Sequence, residues 1–179
     1  MRIDFTTLAS PIGPLAFAVA GGTLLRLDLR GDAASLLQGV ERRFGVVDLH
    51  ECGDPAGVAS RLERYFHGDL RALEEIAVDP GGTDFQHEVW LKLREIPAGR
   101  TWTYADLARA VGHPAAVRAV GAANSANPVP LVLPCHRVIG TDGRLTGYGG
   151  GLDRKEWLLH HEGARSIPSS LPFPKFTDR

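Results

Sequence analysis

Asp79-Pro80-Gly81-Gly82-Thr83-Asp84-Phe85-Gln86 is where the chain changes character. A proline followed by two glycines is the strongest break in the sequence, because proline removes a backbone donor and glycine opens turn conformations closed to other residues. Directly after it, Thr83-x-x-Gln86 has the spacing of a capping box, in which two side chains each satisfy a free backbone N–H at a helix start. A helix is predicted from here, with Phe85, Val89, Trp90 and Leu93 on one apolar face, ending before Pro97 and Gly99. The break is read as the boundary between an N-terminal domain, residues 1–80, and a C-terminal domain, residues 84–165. Residues 166–179 hold three prolines and no periodicity, and read as an irregular tail.

Upstream of the break the pattern is that of a small α/β unit. Leu15–Val19 and Thr23–Leu29 read as strands around the turn pair Gly21-Gly22. In the second, Leu25, Leu27 and Leu29 fall on one face and Arg26 and Asp28 on the other. Ala33–Phe44 and Gly57–Phe66 read as amphipathic helices, and Leu70–Val78 as a last strand. Downstream the pattern is helical. Thr103 caps a short helix, Tyr104–Val111, which Gly112 ends. Pro114 suits the first position of a third helix running to Ser125, before Asn127-Pro128. Asp153 is read as the cap of a final helix, Arg154–Glu162, stopped by Gly163. Two short helices around a glycine-containing turn outline a helix-turn-helix, although αα-hairpins that never meet DNA share the outline.

The bulk properties exclude several classes. Apolar residues are 44% and charged residues 23% of the chain, as in ordinary globular proteins. No apolar run approaches membrane-spanning length, and the N-terminus has no secretory core. Cys52 and Cys135 cannot make a disulfide framework for 179 residues, so a reducing cytoplasm is the expected compartment. The net charge of −1 hides an asymmetry. Residues 1–83 hold 8 basic and 12 acidic side chains, whereas residues 84–165 hold 10 and 8. A C-terminal half with that slight positive excess permits DNA binding through a few placed cations without requiring it.

Cys135 lies in Pro134-Cys135-His136-Arg137-Val138, after an apolar segment, Val129–Leu133, read as a strand. A free cysteine is most often a buried structural thiol. Here Pro134 fixes the backbone before it and His136 and Arg137 set polar groups beside it. Nucleophilic use requires the thiolate, so a base or a positive charge must lower a pKa near about 8.5. His136 is the nearest candidate base, and Glu162 at the end of the last helix is placed to orient it, giving a thiol–imidazole–carboxylate relay. On the residues alone, the structural and the catalytic readings both stand.

Pro134-Cys135-His136-Arg137-Val138 resembles the hallmark of the O6-alkylguanine-DNA alkyltransferases, or methylated-DNA–protein-cysteine methyltransferases, of bacterial type. Further matches run in order through the C-terminal half: Phe85-Gln86-x-x-Val89-Trp90, Ile96-Pro97-x-Gly99-x-Thr101, Tyr104-x-x-Leu107-Ala108, Val117-Arg118-Ala119-Val120-Gly121, Asn127-Pro128, Gly147-Tyr148-x-Gly150-Gly151 and Lys155-x-x-Leu158-Leu159-x-x-Glu162. Ser10-Pro11-Ile12-Gly13-Pro14-Leu15 is similar to the opening strand of bacterial members. The resemblance is strong over about Thr83 to Gly163 and weaker before it. It implies an α+β fold, with a ribonuclease-H-like sheet-and-helix domain followed by a mostly helical, winged-helix-like DNA-binding domain.

The resemblance also implies roles. Cys135 matches the alkyl acceptor, and His136, through water and with Glu162, the network that takes the thiol proton. Asn127 matches the residue linking the turn after the third helix to the active-site segment, and is also a turn former before Pro128. A stacked base must be rotated out of the duplex to react. Arg118 matches the finger that fills its place, and Tyr104 the side chain that pushes the 3′ phosphate. Ala105, His113 and Thr141 align with positions on the DNA backbone. Tyr148 matches the residue that hydrogen-bonds guanine N3 and protonates it as the alkyl group departs. The pocket would take the backbone carbonyls of Cys135 and Val138, together with Asn124 and Gly150. Ser125-Ala126 departs from the family, where many members have glycine or a basic residue, which unsettles the phosphate contacts of that turn.

The expected partner is double-stranded DNA containing O6-alkylguanine, met by a monomer that acts once, since a thioether has no good leaving group. No cofactor is expected. No metal is expected either, because Cys52 and His50 do not make up the roughly four ligands of a zinc site and the extra cysteines of zinc-binding members are missing. Three rivals differ in kind. A non-catalytic alkylguanine-binding protein that signals to other repair factors would replace the acceptor cysteine. A cysteine hydrolase needs an oxyanion hole. A sequence-reading regulator needs polar side chains along residues 115–123, which are mostly Ala, Val and Gly.

Overall fold

A computed structural model of the protein describes residues 1–164, and the chain forms two compact units. The first contains Met1–Gly81 together with Pro128–Pro130; the second contains Gly82–Asn127 and the chain from Leu131 onward. The tail expected at 166–179 lies outside the described residues, as does Arg165.

The first unit is a four-stranded sheet carrying helices. Its strands are β1 (Arg2–Leu8), β2 (Leu15–Ala20), β3 (Thr23–Asp28) and β4 (Asp48–Glu51), in the order β3-β2-β1-β4. β2 pairs antiparallel with both β1 and β3, and β4 runs parallel to β1. The hairpin read around Gly21-Gly22 forms β2 and β3, with both glycines at positive φ as a tight turn demands. Leu25, Leu27 and Leu29 are buried as their alternation requires. Helix α1 (Ala33–Phe44), whose N-cap Asp32 accepts from Ser35 N, lays Leu36 and Val40 against Ile3, Ala16, Ala18 and Leu25. Helix α2 (Val58–Phe66) buries Val58, Ala59, Leu62 and Tyr65.

The strand expected at Leu70–Val78 does not form. Ala72–Glu75 is a one-turn 3-10 helix, and only an isolated bridge, Leu24 to Val78, joins the sheet. Adjacent Glu74 and Glu75 cannot both face a core, so a turn that exposes both is favoured. Strands β1 and β4 are not among the strands expected from the sequence pattern.

The second unit holds α3 (Asp84–Leu93), β5 (Trp102–Thr103), α4 (Tyr104–Ala110), α5 (Val117–Ser125), β6 (Val138–Ile139) and α6 (Leu152–His161). Both capping boxes are closed: Gln86 N donates to Thr83 Oγ1 at 3.3 Å, and Asp106 N donates to Thr103 Oγ1 at 3.1 Å. Trp90 Nε1 donates to Ala123 O at 2.7 Å and so ties α3 to the last turn of α5. Pro114 is not the first residue of α5, which begins three residues later. Residues 114–116 stay in a turn whose Ala116 N donates to His113 O. Nor is Asp153 a cap. Gly151, at φ 98°, ends the preceding loop, and α6 starts at Leu152, leaving Asp153 in its first turn where an acid suits the helix dipole.

The apolar segment before Cys135 is not a strand. Residues 128–134 form turns, with Leu131 at φ 73°, and Val129, Leu131, Val132 and Leu133 are all buried. The first of these, Pro128–Pro130, clusters with the sheet unit, where Leu27 N donates to Pro128 O at 2.9 Å. No helix among the described residues is long and apolar enough to cross a membrane.

Candidate active site

Cys135 opens a single 3-10 turn, Cys135–Arg137, all of whose side chains are buried. The turn runs straight into β6, and β6 pairs in parallel with β5 in the register Trp102–Val138 and Thr103–Ile139. That two-residue ladder sets the start of α4 beside the cysteine turn. Because Thr103 caps α4, Tyr104 falls on its first residue and is held at one edge of the turn.

Behind the cysteine lies a buried polar network. Arg137 Nε and Nη2 each donate to Glu162 at 2.8 Å, and Nη1 donates to Ile96 O at 2.6 Å. Against its burial, His136 and then the two-pronged Arg137 guanidinium hold the Glu162 carboxyl far below the usual carboxylate range. An ionised carboxylate only accepts, and His136 Nε2 sits 3.0 Å from Glu162 Oε1, so Nε2 carries the ring proton. Burial pushes the His136 pKa down, against the pull of Glu162, and the ring is neutral at pH 7. Its Nδ1 is then a bare lone pair, buried and without a partner among the described residues. A neutral imidazole with a fixed tautomer is a base ready to take one proton.

The cysteine itself departs from expectation. A lowered thiol pKa was required of a nucleophile, but burial pushes the Cys135 thiol up. A hydrogen bond from Asn127, the charge of Lys155 and neighbouring backbone N–H groups oppose the rise without cancelling it. The resting sulfur is therefore a thiol, and the thiolate forms only as a proton leaves. Cys135 keeps 5% of its surface exposed, so it is recessed rather than sealed.

Asn127 donates from Nδ2 to Leu133 O at 2.7 Å as well as bonding the thiol, which fixes the approach to Cys135. Tyr148 packs its ring against His136 edge-on, with centroids 6.5 Å apart. Its hydroxyl is buried without a partner among the described residues, and burial raises its pKa well above the ordinary tyrosine value. Asn124 is buried, its amide bonded to the Tyr104 hydroxyl and its Oδ1 left over. Asn124, His136 and Tyr148 thus each carry a buried polar atom without a partner among the described residues, and orphaned buried polar atoms mark a place built for something else. Val138 and Gly150 are buried close by, Gly150 O accepting from Arg154 Nη1 at 2.7 Å.

The remaining residues singled out in the sequence are not drawn into this cluster. Arg118 is exposed on α5, and Ala105 is half-buried on α4. His113 is exposed after α4, 3.8 Å from Glu88 and edge-on to Phe85. Thr141 is exposed beyond β6. Two residues of the cluster have no role of their own in the sequence: Arg137 stands there as a polar neighbour of Cys135 and Lys155 as part of the last helix motif. Both are buried cations, and nothing local in a sequence announces that.

Two family models cover nearly all the described chain. Residues 3–80 match the 6-O-methylguanine DNA methyltransferase ribonuclease-like domain, and residues 84–164 its DNA binding domain. The chain belongs to the 6-O-methylguanine DNA methyltransferase family. A methylated-DNA–protein-cysteine methyltransferase of Salmonella typhimurium is 44% identical over 166 residues, covering 91% of this chain and 97% of that protein. One from Mycobacterium bovis is 41% identical over 172 residues, covering 94% and 97%. Among solved structures, Mycobacterium tuberculosis OGT in complex with DNA superposes with a TM-score of 0.75 at 38% identity, over 94% of this chain and 96% of that one. The fold of this family is thus the α+β arrangement expected, a mixed sheet domain followed by a helical one.

Proposed function

We propose that this family member repairs DNA by direct reversal, moving an alkyl group from guanine O6 to its own Cys135. The observation that carries the assignment to Cys135 is the relay behind it: a neutral His136 whose Nε2–H is spent on Glu162 and whose Nδ1 is vacant. His136 Nδ1 accepts the thiol proton, through a water. The sulfur lone pair attacks the alkyl carbon, the C–S bond forms and the C–O6 bond breaks, and its electron pair leaves with guanine. Tyr148, kept protonated by burial, donates a hydrogen bond to guanine N3 and supplies the proton the leaving base needs. Glu162, held ionised by Arg137, stabilises the imidazolium as it forms. The product is a thioether and the protein acts once.

The partner is double-stranded DNA carrying O6-alkylguanine, as the DNA-bound relative suggests. Arg118 takes the flipped base's place, Tyr104 turns the 3′ phosphate, and Ala105, His113 and Thr141 line the DNA backbone. Asn124, Val138 and Gly150 form the base pocket, with carbonyls of Cys135 and Val138 facing the exocyclic amine. We place the protein in the cytoplasm as a monomer. The domain limits proposed are residues 1–80 and 84–165.

Incubation with an oligonucleotide bearing O6-methylguanine should add one methyl group to the Cys135 peptide, stoichiometrically. Cys135→Ala should bind that DNA and transfer nothing. Repeated turnover, or methylation at Cys52, would overturn the reading.

A further inference from the structure

Lys155 is the least expected residue near the sulfur. It lies on the first turns of α6 and is completely buried, although a lysine is almost never buried without a charged partner. Among the described residues no carboxylate bonds it. Its Nζ donates instead to two backbone carbonyls, Val138 O at 2.6 Å and Thr146 O at 2.8 Å. Val138 directly follows the cysteine turn, and Thr146 belongs to the glycine-rich loop that carries Tyr148. The ammonium therefore bridges the backbone just after the cysteine turn to the backbone of the Tyr148 loop. Tyr104 donates to the same Thr146 carbonyl at 3.3 Å, which draws a third element into the bridge.

A cation left without a carboxylate in such a place is costly unless a negative charge appears beside it. The thiolate of Cys135 is that charge. The Cys135 charge raises the Lys155 pKa against burial, and the Lys155 charge opposes the rise of the thiol pKa. We propose that Lys155 is a positioning residue for alkyl transfer: it pins the Tyr148 loop to the backbone after Cys135 and holds a positive charge ready for the thiolate as the proton leaves. The idea rests on the alkyl-transfer reading, but the geometry assigns Lys155 a task that reading did not need.

The consequence is a split between holding DNA and using it. Burial lowers the Lys155 pKa to about 8 even though the Cys135 charge pulls it up, so the bridge should be visible directly. The chain has three lysines, Lys92, Lys155 and Lys175, so 13Cε-lysine labelling gives a countable spectrum of the unmodified protein. The Lys155 signal, identified by its loss in Lys155→Met, should titrate near pH 8. If it titrates above pH 10, the buried bridge does not exist in solution and the proposal falls. In Lys155→Met, made in a Cys52→Ser background, the pH midpoint for iodoacetamide alkylation of Cys135 should rise, and Lys155→Arg should restore part of the shift. Single-turnover methyl transfer should slow by roughly tenfold or more while affinity for damaged DNA stays within about threefold. An unchanged alkylation midpoint with transfer within about twofold of the parent would overturn it. Should the parent itself transfer nothing, the alkyl-transfer reading fails instead, and the lysine spectrum still reports on the bridge.

Discussion

The polar side chains behind Cys135 make opposite demands on pH and on substitution. Glu162 and His136 both have folded pKa values below their unfolded ones. Between folded and unfolded values the unfolded chain holds more protons, so their contribution is fully present above about pH 6.5, the free histidine value, and is lost on acidification. The melting temperature should therefore fall from pH 7.5 to pH 5, and His136→Gln should flatten the first part of that fall. Glu162→Gln removes the negative charge and one of the two acceptor oxygens that serve three buried N–H donors, on His136 and Arg137. It should cost about 3–5 kcal/mol in urea unfolding, because a buried arginine is left without its charge partner. It should also abolish methyl transfer, since the Nε2 proton is no longer fixed. Cys135 and the His136–Glu162 pairing were legible in the sequence because the motif sets the first two side by side and the last helix ends on the third. Arg137 and Lys155 were not, since a cation's burial depends on which carbonyls the folded backbone turns toward it.

Among the elements, legibility followed locality. Both capping boxes could be read because their partners are three residues apart, and both closed as read. β4 could not: its residues Asp48–Glu51 are polar-rich and all exposed, so no alternation marks a strand that exists only because β1 is beside it. The start of α6 is hidden in the sequence because Asp153 resembles a cap, while the conformation that stops the loop belongs to Gly151. Gly99 shows how an element junction acts on the site. It has φ 77°, and a Cβ there would stand 2.8 Å from the backbone oxygen of Glu162. Gly99→Ala should lose about 1–3 kcal/mol by thermal melt from backbone strain alone. It should slow transfer further by displacing Glu162. Gly121 is the control, because a Cβ there meets the Tyr104 ring at 3.7 Å, an ordinary contact. Gly121→Ala in α5 should leave the fold intact and add up to about 1 kcal/mol.

At the scale of the molecule, charge limits how DNA can be held. With a net charge of −1 and only a slight basic excess in residues 84–165, few phosphates can be neutralised at once. Binding should show a shallow salt dependence, a log–log slope of about −2 to −4 at roughly −0.9 per phosphate contact. Arg118→Ala tests whether that arginine is spent on phosphate or on the base stack. As a stack filler, its loss should slow transfer from duplex by roughly tenfold or more and leave transfer from the free alkylated base within about twofold. The salt slope should hardly change; a drop of about one would mark a phosphate contact instead.

The excursion of Pro128–Pro130 into the sheet unit has a bearing on biosynthesis. The N-terminal unit is not complete when Gly81 leaves the ribosome, because Val129 and its neighbours are still 47 or more codons away. At about 5–20 residues per second the nascent sheet waits roughly 2–10 s for its last three residues. A fragment ending at Gly81 should accordingly be born with an unfilled seam, and supplying residues 128–130 on a short tether should raise its melting temperature.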